Sequence, residues 1–411
     1  MKFALVSHVL PPMWSGQSVV LFRLLEDLSP DQYCPISWAD YSDYSPQIDH
    51  MPKLPARYWR LPPEFSIQRG GNQSGRFDSA RSVFNAAVGI AARGRRIAKI
   101  VKRERCEAIV SCSGDLLDQP AAYFASRLAG VPHYPYFFDY YAYQFIDPRM
   151  RAVATFLEPY LVRGAQDVIV PNETLGEELR RRYGVESTVI HNSCDLSQYS
   201  SCLRGDRPLS TGEIKITYTG AVYDAHFDAF KNLLTVIETL DRDVWLHVYT
   251  ALPREYLEAN GIRGRVVIHD HLPAAQIPSI QRESDVLFLP LAFDSPYPEI
   301  IRTSAPGKLG EYLAAGKPVL VHAPPDCFVS WYFRQHDCGT VVDRNDPVEL
   351  ARALDQLLND GGLRRRLSQN AWQQATADFS IEKARAAFYG LLKLDNVEAA
   401  GERSVPCHRI E

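Results

Sequence analysis

The sequence predicts an α/β protein built from two doubly wound, Rossmann-like domains facing across a cleft. Three observations carry that expectation. The chain has 411 residues, more than one hydrophobic core ordinarily organises. Short apolar runs alternate with helix-patterned segments in two successive rounds, as layered α/β folds require. A polar stretch rich in Ser, Arg, Gly and Pro, from Asp195 to Glu213, separates the rounds and reads as a linker over 196–213.

The first round, residues 1–195, offers strands at 2–9, 35–39, 107–111, 133–138, 167–170 and 187–191. Several are near-continuous in Val, Ile, Phe and Tyr, the pattern of parallel strands buried on both faces. Helical periodicity lies at 17–28, 81–105 and 175–183. Residues 57–81, with Pro62–Pro63 and Gly70–Gly71, are irregular and read either as a mobile loop beside an acceptor or as a plain surface excursion. The second round, 214–380, offers strands at 214–219, 244–250, 265–269, 285–289, 318–322 and 340–343. Its helices are expected at 229–240, 274–283, 308–315 and 348–359, the second interrupted by Pro278. A last helical pattern, 380–394, begins a tail (381–411) expected to close the second domain and cross back to the first.

Composition excludes several function classes. Hydrophobic residues make up 46% and charged residues 23%, a globular balance. The net charge of -4 gives no support to nucleic-acid binding. No apolar run approaches the ~20 residues that span a bilayer. The opening MKFALVSHVL is short and interrupted by His8, so it reads as a strand rather than a signal peptide. The eight cysteines form no CxxC pair and no zinc-ligand spacing with histidine, so free thiols in a reducing cytosol and no metal site are expected.

Chemistry concentrates in the segment from Thr303 to Val319, TSAPGKLGEYLAAGKPV. Thr303 or Ser304 is placed to cap a helix, Pro306 sits in its first turn, and Gly316 with Pro318 ends it. Gly307 and Gly310 remove side-chain bulk, Lys308 adds a charge, and free N–H groups at such a helix start suit a phosphate. Glu311, one turn on, is placed to accept two ribose hydroxyls. The plainer alternative is an ordinary capped helix with Lys308 and Glu311 as solvated charges.

The segment resembles the donor-binding helix of glycosyltransferase family 4, retaining enzymes of the GT-B fold, in a sub-group with a Ser-x-Pro-x-Lys-like element before Glu-Tyr-Leu-Ala-Ala-Gly-Lys-Pro-Val. Thr303 stands where many members carry a first glutamate. Other landmarks are similar in order. Asp167 to Asn172 and Val189 to Asp195 match the end of the first domain, with Ser193 and Cys194 replacing a Gly-Val pair. Ile216 to Gly220, followed by Lys231 and Asn232, matches the start of the second domain, with Ala221 in the place of an arginine. Ser284 to Pro290 matches the strand before the donor loop. Ser15 and Gly16 resemble a donor-facing Gly-Gly turn, and Asp139 follows Phe138 where the family often reads His-Asp.

The resemblance implies a metal-independent transferase that takes a sugar from a nucleotide-diphosphate donor with retention, by attack on the leaving-group face. Its implied catalytic residues are Asp139, Lys231 and Lys308. Its implied donor-binding residues are Ser15, Gly16, Gly220, Thr303, Ser304, Gly307, Leu309 and Glu311. His226 or Arg302 is a candidate to make good the missing arginine, and Tyr140, Tyr141 and Tyr143 line a sugar platform or serve only as packing. The nucleotide-diphosphate sugar is a co-substrate, and no cofactor is expected. The acceptor is a glycan, a lipid or a small molecule, in glycan or glycoconjugate biosynthesis. A sugar-nucleotide epimerase or phosphorylase on the same fold, or a non-catalytic nucleotide-sugar sensor, are the rivals. A cytoplasmic location is expected, with peripheral contact at the inner face of the membrane through 84–105 as an extension. There Phe84, Val88, Ala91, Ile97 and Val101 lie at helical spacing beside Arg95, Arg96, Lys99, Lys102 and Arg103. A solvated face on a core helix is the alternative.

Overall fold

The computed structural model describes residues 1–13, 15–43, 51–62, 76–203 and 209–394. Among these, the first unit holds β1 (Phe3–Val6), α1 (Gly16–Leu25), β2 (Tyr33–Ser37), β3 (Trp59–Arg60), α2 (Arg76–Arg103), β4 (Ala108–Cys112), α3 (Asp118–Ala129), β5 (His133–Tyr136), α4 (Pro148–Arg163), β6 (Ile169–Val170), α5 (Glu173–Tyr183) and β7 (Thr188–Val189). A 3-10 segment, Leu196–Leu203, lies in the expected linker; residues 204–208 of that linker, and 63–75 of the irregular stretch, fall outside the described residues.

The second unit holds β8 (Ile214–Thr219), α6 (Phe227–Thr239), β9 (Val244–Tyr249), α7 (Arg254–Ala259), β10 (Val266–His269), α8 (Ile277–Glu283), β11 (Val286–Pro290), α9 (Pro298–Thr303), α10 (Lys308–Ala314), β12 (Val319–His322), α11 (Phe328–Gln335), β13 (Thr340–Val342), α12 (Pro347–Asn359) and α13 (Gly361–Asp378). The last helix is α14 (Ile381–Leu392).

Both sheets are parallel, in the orders β3-β2-β1-β4-β5-β6-β7 and β10-β9-β8-β11-β12-β13. The order reverses beside β1 and beside β8, and the crevice outside the carboxyl ends of strands at such switch points is where ligands bind. β1 shows why its run is continuously apolar. Phe3 and Leu5 join one core with α1 and α14, whereas Ala4 and Val6 join the other with α2 and α3. Ala384, Phe388 and Leu392 of α14 lie in the first sheet's core, and the Phe388 ring meets Phe3 edge-on at 5.8 Å. Arg385 donates to the Arg23 carbonyl at 2.7 Å and pairs with Glu26.

Two local expectations are corrected. Pro278 does not interrupt a helix: it sits in the first turn of α8, where its missing N–H costs nothing, after a separate 3-10 turn at Ala274–Gln276. Neither Thr303 nor Ser304 caps the helix that carries Lys308. Thr303 ends α9, its hydroxyl donating back to the Glu299 carbonyl at 2.9 Å, and Ser304 is that helix's C-cap. α10 starts at Lys308 behind Gly307, with no side-chain cap.

Candidate functional site

The carboxyl end of β8 builds the centre of the site. Gly220 follows the strand with φ +123°, a conformation that favours glycine, and a Cβ there would lie 3.2 Å from Lys308 Cε and 3.3 Å from its Nζ. The lysine therefore lies directly on the glycine. Its amine donates to Tyr218 Oη at 2.8 Å, and that hydroxyl in turn donates to the Ala221 carbonyl at 2.6 Å. α10 is registered to β8 by Tyr312, whose hydroxyl accepts the Thr219 N–H at 2.9 Å. Burial pushes the Lys308 amine down to about 8, against the opposing pull of Glu311. With α10 only two turns long, the lysine's full charge is the stronger anion ligand here.

His226 closes the β8–α6 turn. Its buried ring accepts the Tyr223 N–H at Nδ1 (3.4 Å), and burial together with the Lys308 charge keeps it neutral. Across the cleft, Ser113 accepts the N–H groups of Phe138 and Asp139, at 2.8 and 3.2 Å, and so fixes the end of β5. Asp139 is open to water at the cleft mouth, yet surrounding protein raises its carboxyl above the ordinary value. Among the described residues no hydrogen bond or ion pair reaches that carboxyl. Tyr223 is pushed up to about 12, by burial first and then by the Asp139 charge, so the two residues face each other from opposite units.

Glu311 is not a free surface charge. Arg23 of α1 holds it at 2.9 Å and donates also to the Ser193 carbonyl at 2.5 Å. One carboxylate oxygen is thereby engaged and the group is oriented from the first unit. The loop between α9 and α10 is gripped from that unit as well. Asn172 Nδ2 donates to the Thr303 carbonyl at 2.8 Å, and Asn192 Nδ2 to the Ala305 carbonyl at 2.7 Å. Arg302 pairs with the buried Glu178 at 2.7 Å. Hydrogen bonds from Arg181, Arg302 and Arg182 overcome burial there and hold that carboxyl down to about 2. From within the second unit, Asp228 accepts the N–H groups of Phe293 and Asp294, each at 2.8 Å, fixing the loop after β11.

The remaining expected residues divide. Ser15 caps α1 by accepting the Ser18 N–H at 3.1 Å, and Gly16 and Gly307 each have open space where a Cβ would be. Trp14 of that turn lies outside the described residues. Gly310 serves packing instead, since a Cβ there would meet Phe379 at 3.0 Å. Lys231 is not brought to the site: it sits on the exposed side of α6, its Cε 2.7 Å from where a Gly261 Cβ would be. Leu309 is not presented to the cleft either. Its side chain is core and its N–H goes to the Pro306 carbonyl at 2.9 Å. Tyr140 and Tyr141 are fully buried and serve packing, whereas Tyr143 accepts from Arg182 at 2.9 Å. Arg302 is spent on Glu178, leaving His226 as the nearer neighbour of Lys308.

Sequence reasoning missed Arg23, Tyr223, Asp228, Asn172 and Asn192 as parts of this arrangement. Only the asparagines carried a signal, as polar residues at strand ends. It also missed a cluster in the first unit. His8 lies 3.7 Å from the buried Asp118, Arg93 pairs with Asp118 and, at 2.6 Å, with Asp115, and Trp38 stacks on His8 with centroids 6.1 Å apart. Among the described residues no three His, Cys, Asp or Glu side chains gather as a metal site. Cys34, Cys106, Cys112, Cys194, Cys327 and Cys338 are buried and unbridged.

Residues 227–374, from α6 to α13, match the family of glycosyl transferases group 1. Over that span the chain is similar to the group 1 glycosyl transferases. No curated protein matches it in sequence. Among solved structures, sucrose-phosphate synthase from Thermosynechococcus elongatus is similar with a TM-score of 0.65 at 14% identity, over 95% of this chain and 98% of that one. The Anabaena protein HepE, solved in complex with UDP, is similar at 0.64 and 16% identity, over 96% and 100%. A lipopolysaccharide outer core galactosyltransferase, WaaB, is similar at 0.62 and 13%, over 96% and 99%. At such identities the likeness is one of fold, and it extends the GT-B architecture to nearly the whole chain.

Proposed function

We propose that this glycosyltransferase transfers a sugar from a UDP-linked donor to an acceptor hydroxyl, with retention, in the biosynthesis of a glycan or glycoconjugate. The observation that carries the reading is the Lys308 amine held on Gly220 at the end of β8, with the Asp139 carboxyl, which no hydrogen bond or ion pair reaches among the described residues, following β5 and acting on Tyr223. Support for the nucleotide comes from HepE, a structural neighbour solved also with UDP-glucose.

In this reading Lys308 lies against the diphosphate, and the free oxygen of Glu311 meets the ribose while Arg23 holds the other. Ser15, Gly16, Thr303, Ser304 and Gly307 line the donor's approach, with backbone groups free of bulk at Gly16 and Gly307. As the bond from the anomeric carbon to the phosphate oxygen breaks, its electron pair leaves with UDP, and Lys308 offsets the developing charge. The acceptor oxygen bonds to the anomeric carbon on the same face, and its proton passes to the leaving phosphate. Asp139 accepts a hydrogen bond from the acceptor or from the sugar. The His8–Asp118–Arg93 cluster with Trp38 offers the acceptor a polar group beside an aromatic platform. Neither a metal nor a resident cofactor has a step in this scheme.

Product analysis tests it. Purified protein given UDP-sugars and a panel of acceptor alcohols is expected to release UDP and form a glycoside of unchanged anomeric configuration, and Asp139→Asn is expected to lower turnover by ~100-fold while donor binding persists. An inverted product, or isomerised donor without transfer, contradicts the reading.

A further inference from the structure

The helices α2, α3 and α4 follow successive rightward crossovers and form one layer on one face of the first sheet. The expected lipid-facing stripe on α2 is not continuous, because Ile97 and Val101 are consumed in the core while Phe84, near the other end, is 54% exposed. Of its cations, Arg95 lies over the Phe124 ring at 5.9 Å and Arg103 over Trp59 at 4.9 Å, whereas Lys99 and Lys102 are exposed.

Two helices along, α4 shows the reverse. Arg149, Ala152, Phe156, Tyr160 and Arg163 recur at intervals of three and four, so they form one stripe, and all five are exposed. Phe156 is 67% and Tyr160 56% exposed, with their rings 5.7 Å apart, and Ile146 just before the helix is 74% exposed. The only acid within α4, Glu158, is wholly buried. Two shallow grooves of about 540 and 600 Å³ flank the stripe. In the second, between α3 and α4, Arg127 rides over the Tyr123 ring at 5.0 Å and donates to the Gly164 carbonyl. A protein of net charge -4 thus presents, on one helix, aromatic residues framed by cations with no exposed carboxylate within it.

We propose that this face of α4 docks on an anionic lipid bilayer. Phe156 and Tyr160 enter the headgroup boundary while Arg127, Arg149 and Arg163 lie on lipid phosphates. A second copy fits the face poorly, because two-fold pairing would set its cations against themselves. Among the described residues no helix is long and apolar enough to cross a membrane, so contact here is peripheral. α4 follows the Asp139 loop directly in the chain, so docking brings the cleft rim to the lipid surface. On the transferase reading, this favours an acceptor carried in the bilayer.

Flotation of the full chain tests the proposal without donor or acceptor, so its failure is separable from that of the donor reading. The protein is expected to float with vesicles of phosphatidylcholine and phosphatidylglycerol, and to remain behind with phosphatidylcholine alone or in high salt. Phe156→Ser/Tyr160→Ser and Arg149→Glu/Arg163→Glu are each expected to weaken binding on the order of tenfold or more, with melting temperature and UDP-glucose binding unchanged. If the aromatic pair perturbs folding, the arginine pair decides. Three results would overturn the proposal: no flotation of the wild type, flotation lost through Lys99→Glu/Lys102→Glu but retained in both α4 variants, or a dimer in light scattering that the aromatic substitutions dissociate.

Discussion

At the scale of single residues, two interactions decide the proposed donor site. Burial lowers Lys308 to about 8 from 10.5, so in the empty protein the cost of charging it is fully present below about pH 8 and disappears as pH rises toward 10.5. A diphosphate binds the charged form and raises that value again. Affinity for UDP-glucose is therefore expected to fall above pH 8 by up to about tenfold per pH unit, and titration calorimetry should find this slope absent in Lys308→Met. Glu311 and Arg23 form the second interaction, with side chains only 20% and 18% exposed. Glu311→Ala leaves a largely buried guanidinium without its counter-charge, so it is expected to lose stability as well as donor affinity. A double-mutant cycle in denaturant should return a coupling of about 1–3 kcal/mol, and additive effects would contradict the pairing. The first relation was legible beforehand and the second was not. Lys308 and Glu311 stand out in a motif, but Arg23 sits in an unremarkable helical stretch and acquires meaning only when α1 packs beside α10.

At the scale of elements, local chemistry explains what could be read. Twelve of the strands lie where apolar runs placed them; in the central ones burial on both faces leaves no room for alternation, whereas β7 and β10 are half-buried. β3 was not legible: Trp59–Arg60 is two residues long and partly exposed, too short to carry a period. The donor-loop geometry was not legible either, since a proline at 306 is compatible both with a first helical turn and with the loop before α10. Lys231 shows the limit of motif spacing. It follows Gly220 in the expected order, but α6 turns it outward behind buried Phe230, Leu233 and Leu234. In the loop after β11 the Phe293 and Asp294 N–H groups both rest on one carboxylate, so Asp228→Ala is expected to cost about 1–3 kcal/mol and to speed amide exchange at 293 and 294. Unchanged exchange there would show that the loop is held by other contacts.

At the scale of the whole molecule, the two units are tied through the site itself. Asn172, Asn192, Glu178 and Arg23 all reach from the first unit to the segment that carries Lys308 and Glu311, and α14 returns from the second unit to complete the first core. Phe388→Ala in α14 is accordingly expected to cost about 3–5 kcal/mol, read as a lower denaturation midpoint for the first unit although the residue lies near the far end of the described chain. The GT-B architecture was predictable because it repeats one simple alternation twice. The acceptor was not, since the side chains proposed to meet it, such as His8, Asp118 and Trp38, are marked by no shared motif. The central claim is that Lys308, seated on Gly220, binds the donor's diphosphate. Its most direct test is the thermal shift given by a series of UDP-glucose concentrations with wild type, Lys308→Met and Lys231→Met. The account predicts a shift that grows with ligand concentration in wild type and Lys231→Met, reaching about 2.7 kcal/mol at a hundred times Kd, and its loss in Lys308→Met. An equal shift in Lys308→Met, or loss through Lys231→Met alone, would contradict it.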